Sequence, residues 1–178
     1  MSASDRERWD ARFADGRLAE PAPPDALVGR EHLLPAAGRA LDVACGRGEV
    51  AVWLAARGLA VDAVDVSPVG LAAGRARPGG EAVRWIEADL AEGLPVAGPY
   101  DVVVCQRFRD PRLYPALTAA LAPGGLLVVT VLSGSGGPFR APPGELLAAF
   151  GHLAVLHQEE SGGRASLVAR AAAGDHGR

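Results

Sequence analysis

Gly46, Gly48 and Ala51 stand at the spacing G-x-G-x-x-G/A, and Asp65 follows Gly46 by nineteen residues. Glycines at that spacing let a backbone turn approach a bulky ligand closely. An acid about twenty residues further on is placed to accept hydrogen bonds from a ribose. That pair alone suits a dinucleotide as well as any other adenosine-bearing cofactor. Two more carboxylates make the pattern specific. Asp42 closes the apolar run before the glycines, Asp65 closes the next run, and Asp89 follows a third. A dinucleotide fingerprint requires only the second of these acids.

Beyond the glycine loop, the residues that could move protons are few. His32 falls in an N-terminal helical stretch and reads as a helix-surface residue; His152 and His157 read as structural, and His176 lies in the tail. No general base stands out, so no catalytic residue is assigned. Tyr114 reads as packing, and Cys45 and Cys105 as small core thiols. The two cysteines form neither a disulfide framework nor a metal-spaced set, so no metal is expected. The segment Cys105–Arg112 is more suggestive. Gln106 could touch the cofactor, while Arg107, Arg109 and Arg112 place guanidiniums beside the expected acceptor mouth, where they would attract an anion.

The elements that must position these groups alternate. Ser4-x-x-Glu7 reads as a capping box opening a helix that carries Trp9 and Phe13 on one face and ends at Gly16. A proline-rich link leads to a second helix between Pro24 and Pro35. Apolar runs at 40–44, 60–66, 82–88, 101–105 and 126–132 read as five strands. Helices are predicted over 48–57, from the Ser67-Pro68 start, from Asp110-Pro111 to 121, and over 143–150. Residues 153–158 and 164–170 flank Ser161-Gly162-Gly163 as a hairpin. The order implies a Rossmann-like α/β fold: a mostly parallel seven-stranded sheet with a C-terminal antiparallel hairpin and helices on both faces. One domain is expected over 1–178, with a helical lid segment at 1–35 and the core at 36–170.

The chain has 178 residues, 49% of them apolar and 22% charged, with a net charge of −3. All 18 basic residues are arginine, which excludes mechanisms that need a lysine ammonium or amine. No broad basic field is available, so neither nucleic acid nor an anionic membrane is expected as a partner. With no apolar leader at the start and no run long enough to span a bilayer, a cytoplasmic location is expected. Neither the N-terminal helices nor the hairpin edge singles out a dimer contact over a monomer.

The segments LDVACGRG (41–48), VDVSP (64–68), IEADL (86–90), YDVVVCQ (100–106) and LAPGGLLVV (121–129) resemble successive motifs of the class I S-adenosylmethionine-dependent methyltransferases. The resemblance covers roughly 36–170. It is closest to the small bacterial TehB-like group related to tellurite resistance, which WDARFADG (9–16) and PPGELLAAFGHLAVLHQEE (142–160) also resemble. The resemblance implies S-adenosylmethionine as donor and S-adenosylhomocysteine as product. It implies Asp42, Ala44, Cys45, Gly46 and Gly48 at the methionine end, Asp65 on the ribose, and Val66, Ala88, Asp89 and Leu90 around the adenine. Gln106 would reach the methionine part. Trp9, Arg12 and Phe13 would form a lid, and with Arg107 and Arg109 would meet the acceptor. Where the family's first motif glycine usually stands, this chain has Ala44. A small-molecule acceptor is expected, with a thiol or chalcogen nucleophile favoured because no base is visible. Two rival readings are an NAD(P)-dependent oxidoreductase and a non-catalytic nucleoside-binding module; a nucleic-acid methyltransferase is a weaker third, because neither an N-P-P-Y-type motif nor a basic tract is present.

Overall fold

A computed structural model describes residues 3–14, 18–134, 137 and 139–174, with side chains from residue 5 onward. Gly16, the Ser4 side chain and His176 lie outside the described residues. The apolar runs form β1 (Gly38–Val43), β2 (Leu59–Asp65), β3 (Val83–Glu87), β4 (Tyr100–Gln106) and β5 (Leu121–Ser133). They pair in parallel; β1, β2, β4 and β5 carry buried runs rich in valine and leucine, as a sheet covered on both faces requires, while β3 at the edge is half-exposed. The two-residue β6 (Arg140–Ala141) adds to β5, and the hairpin of β7 (Ala154–Ser161) and β8 (Arg164–Arg170) turns at Gly162-Gly163 and pairs antiparallel.

Strand order is β3-β2-β1-β4-β5-β8-β7, with β6 off that path. The direction of winding therefore reverses between β1 and β4. In open α/β sheets ligands bind outside the carboxyl ends of the strands at that reversal. On one face pack α4 (Tyr114–Ala119) and α5 (Glu145–Phe150), with Tyr114, Leu117, Leu146 and Phe150 against Val43, Val103, Leu127 and Val129. The other face carries α2 (Glu49–Ala55) and α3 (Pro68–Ala76), with Val50, Leu54 and Leu71 against Ala40, Val61, Val104 and Val128.

Two helical expectations are corrected. The stretch between Pro24 and Pro35 forms two isolated 3-10 turns, Asp25–Leu27 and Glu31–Leu33, because Gly29, at φ +73°, interrupts it. The helix expected from Asp110 begins as a 3-10 turn at Pro111–Leu113 and continues as the six-residue α4. The Ser67 cap stands as read: its hydroxyl accepts from the Gly70 N–H at 3.0 Å, with Pro68 at the first helical position. The N-terminal helix α1 (Ala3–Ala14) packs on α3. Among the described residues no helix is long and apolar enough to cross a membrane.

Candidate donor site

At the carboxyl ends of β1, β2 and β4 lies a cleft of about 720 Å³. Its floor is the turn after β1. Ala44 adopts φ +58° there and Gly46 φ +56°, so the turn holds an alanine in the left-handed region. Two bonds tie the loop to β2. The Cys45 N–H donates to the Val64 carbonyl at 3.0 Å, and the Gly46 N–H to Asp65 Oδ2 at 2.8 Å. The other Asp65 oxygen accepts from the Ser67 N–H at 2.9 Å. Each oxygen keeps a second lone pair, so the carboxylate still has capacity for ribose hydroxyls. Burial raises the Asp65 pKa, against the lowering effect of those N–H donors.

Asp42 is the least satisfied group in the cleft wall. It is 2% exposed, and its Oδ2 has no hydrogen-bond partner. Burial, then the nearby Asp65 and Glu49 carboxylates, push its pKa up to about 8. A buried carboxylate oxygen without a donor is costly unless a cation or donor arrives to satisfy it. The methionine ammonium of S-adenosylmethionine is such a group, so the residues present fit that cofactor at this end. Burial also pushes the thiols up, Cys105 to about 12, so neither cysteine supplies a thiolate.

From the cofactor set, Asp42, Ala44, Cys45, Gly46, Asp65, Val66 and Gln106 line the cleft. From the acceptor set, Trp9, Arg12, Phe13 and Arg107 do. Trp9 and Phe13 stack at 5.5 Å, Arg12 lies 5.6 Å over the Trp9 ring, and Phe13 covers Gly46. Gln106 Oε1 accepts from the Asp25 N–H at 2.7 Å, and Arg107 reaches the Asp25 carboxylate at 3.1 Å.

Five expected residues stand elsewhere. Gly48, at φ +72°, backs onto Trp85: an added Cβ would lie 2.1 Å from the indole. Its glycine serves helix–strand packing rather than a close approach to the cofactor. Leu90 is buried in the core, and Asp89 caps the following 3-10 turn by accepting from the Ala91 N–H at 2.8 Å. Neither they nor Ala88 line the cleft, because α1 crosses that corner. Arg6 donates to the Val66 carbonyl at 3.2 Å and pairs with Glu87, while Asp10 accepts from the Ser67 hydroxyl. Arg109 turns away to form a two-point pair with Glu145, which also accepts from the Tyr114 hydroxyl at 2.7 Å. That cluster joins α4 to α5 and leaves Arg109 no part in the mouth.

Sequence reasoning missed Asp25, Glu49, Phe108 and Arg164 among the lining residues. Glu49 could have been found, since it directly follows Gly48. Asp25 and Arg164 meet at 3.3 Å across 139 positions, and nothing local in the chain announces that contact.

Strand order, the reversal at β1 and β4, and an acid-lined cleft with an orphan carboxylate define a nucleoside-cofactor site on a methyltransferase-type sheet. Comparison with known proteins agrees. A family described as methyltransferase domain matches residues 40–125. The chain is 36% identical over 134 residues to the ribosomal RNA small subunit methyltransferase C of Chromohalobacter salexigens, covering 68% of this chain and 38% of that protein. It is 36% identical over 126 residues to the ribosomal protein L11 methyltransferase of Bordetella parapertussis, covering 68% of this chain and 40% of that protein. In fold it is similar to TehB from Haemophilus influenzae, with a TM-score of 0.73 at 16% identity over 93% of this chain and 66% of that one. Residues 40–125 match a methyltransferase domain, on a sheet with the fold of the class I methyltransferases, and S-adenosylmethionine is the cofactor of that class. The chain spans about two fifths of the length of the curated relatives named.

These relatives correct the expectation of a small-molecule acceptor and no nucleic acid: their names carry ribosomal RNA and a ribosomal protein. The expectation rested on net charge, which averages the whole surface. It says nothing of local arrangement: the cleft is lined by four arginines, Arg12, Arg47, Arg107 and Arg164, and by five carboxylates, Glu20, Asp25, Asp42, Glu49 and Asp65.

Proposed function

We propose that this protein binds S-adenosylmethionine in the cleft between β1, β2 and β4 and transfers its methyl group to an acceptor carried by a ribosomal component. The observation that carries the donor half is the orphan Oδ2 of buried Asp42, set beside the Asp65–Gly46 clamp. When bound, the cofactor supplies a methyl group already activated by its sulfonium. Asp42 would hold the methionine ammonium, Asp65 the ribose hydroxyls, and Gln106 the methionine end. Trp9 and Phe13 would exclude water above the methyl, where alignment rather than proton transfer lowers the barrier.

Among the described residues no histidine lines the cleft. The site therefore favours an acceptor atom that arrives with its lone pair free. The macromolecular acceptor is supported by the two relatives named above. Titration of the purified chain with S-adenosylhomocysteine and NADH tests the donor, with binding of the adenosyl ligand alone expected. Incubation with methyl-labelled donor and ribosomal subunits, ribosomal RNA or L11 then tests the acceptor. Label in none of the three, with donor binding intact, would overturn the ribosomal assignment.

A further inference from the structure

The face of the sheet that carries α2 and α3 is apolar until its last rows. Val104, Val128, Val168 and His157 lie side by side on β4, β5, β8 and β7. Two residues nearer the carboxyl end of β4 and β5, the same register gives Gln106, Thr130, Ser166 and Glu159. A row of four polar side chains replaces a valine row. Over its outer half lies a second cavity of about 350 Å³, roofed by Asp25, Ala26 and Arg30. Thr130 lines it, is 2% exposed, and its hydroxyl has no hydrogen-bond partner. A buried orphan hydroxyl facing a cavity points to a ligand that completes it.

The charges around it select the sign of that ligand. Asp25 is matched by two guanidiniums, Arg107 at 3.1 Å and Arg164 at 3.3 Å. The Arg30 side chain donates to the Val28 carbonyl at 3.3 Å and keeps further donors. Glu159, at the far end of the row, accepts from the Ser161 hydroxyl at 2.7 Å and would repel an anion placed beside it. The unfilled donors therefore gather on the Arg30–Thr130–Arg164 side. Asp25 and Arg164 also line the donor cleft, so the cavity opens beside the place where the methyl would be delivered.

We propose that this cavity anchors a carboxylate of the methyl acceptor, held by Arg30, Arg164 and the Thr130 hydroxyl. The proposal rests on the reading of the neighbouring cleft as the donor site. The carboxylate belongs to a protein acceptor, at a side chain or at the chain end. The full chain, saturated with S-adenosylhomocysteine, is titrated with acetate, a blocked glutamyl tripeptide and inorganic phosphate while the Thr130 and Ser166 amides are followed by NMR. Saturable shifts with the carboxylates are expected. A tripeptide that binds more tightly than acetate supports the protein anchor, and one that binds no more tightly overturns it.

Thr130→Val, which keeps the side-chain shape, and Arg30→Gln should each weaken carboxylate binding about fivefold or more. Neither residue lines the donor cleft, so S-adenosylhomocysteine affinity should change by no more than about twofold. Saturable carboxylate binding that both variants leave unchanged, no saturable shift, or a preference for phosphate would each overturn the anchor. Failure of S-adenosylhomocysteine to bind the wild-type chain would instead overturn the donor reading.

Discussion

Asp42 carries an acid whose pKa is raised by burial to about 8, so near neutral pH the folded, cofactor-free chain holds a proton that the unfolded chain has lost. Where the folded state binds more protons, stability falls as pH rises. The contribution is complete below the unfolded value near 4 and disappears as pH passes about 8. Chemical denaturation of the cofactor-free protein should therefore give falling stability across that window, and Asp42→Asn should flatten the slope. An ammonium ligand would reverse the balance by drawing the proton off. At pH 7, calorimetric binding of S-adenosylhomocysteine should release a proton, seen as a buffer-dependent enthalpy that Asp42→Asn abolishes. Two neighbours carry backbone consequences. Ala44, at φ +58°, pays a left-handed penalty that Gly does not, so Ala44→Gly is expected to raise stability by up to about 1 kcal/mol. Gly48→Ala should lower it by about 2–4 kcal/mol, since it adds a Cβ 2.1 Å from Trp85 at a positive φ. Denaturant midpoints check both.

At the scale of elements, the glycine loop is held from behind by a buried arginine. Arg77 donates to the Arg47 carbonyl at 3.0 Å and to the Ala19 carbonyl, and lies 3.8 Å from Glu49. It ties the end of α3 to the loop and to the N-terminal strap. Arg77→Met should cost about 1–3 kcal/mol and weaken S-adenosylhomocysteine binding, both measurable on one preparation. The strands and the Ser67 cap were legible because valine-rich runs and a Ser-Pro start are local signals. The two turns between Pro24 and Pro35 were not, since a 3-10 turn leaves the same composition as a short helix. The polar row from Gln106 to Glu159 was also hidden. Each of its residues looks like an ordinary strand end, and only the pairing register brings the four together. Arg109 misled for the same reason: its partner Glu145 is 36 positions away.

Across the whole molecule, three acids at strand ends were enough to place the cleft, and two of them line it. The third, Asp89, stands at a corner that α1 crosses, a relation that no spacing within residues 40–90 encodes. Net charge misdirected the partner assignment because it averages the whole surface, while the cleft mixes four arginines with five carboxylates. The position of α1 has a kinetic consequence. Arg6, Asp10 and Phe13 hold the helix across the ends of β2 and β3, so a nucleoside reaching Asp89 must wait for those contacts to part. The observed association rate, followed by Trp9 fluorescence in stopped flow, should rise with ligand and then level off at the rate of helix undocking. Arg6→Ala combined with Asp10→Ala, which keeps Trp9 and removes two of the helix's contacts, should raise the plateau. The slowest step of ligand capture would then be set by a dozen residues at one end of the chain, and the number of turnovers per second would be capped by how often that helix lets go.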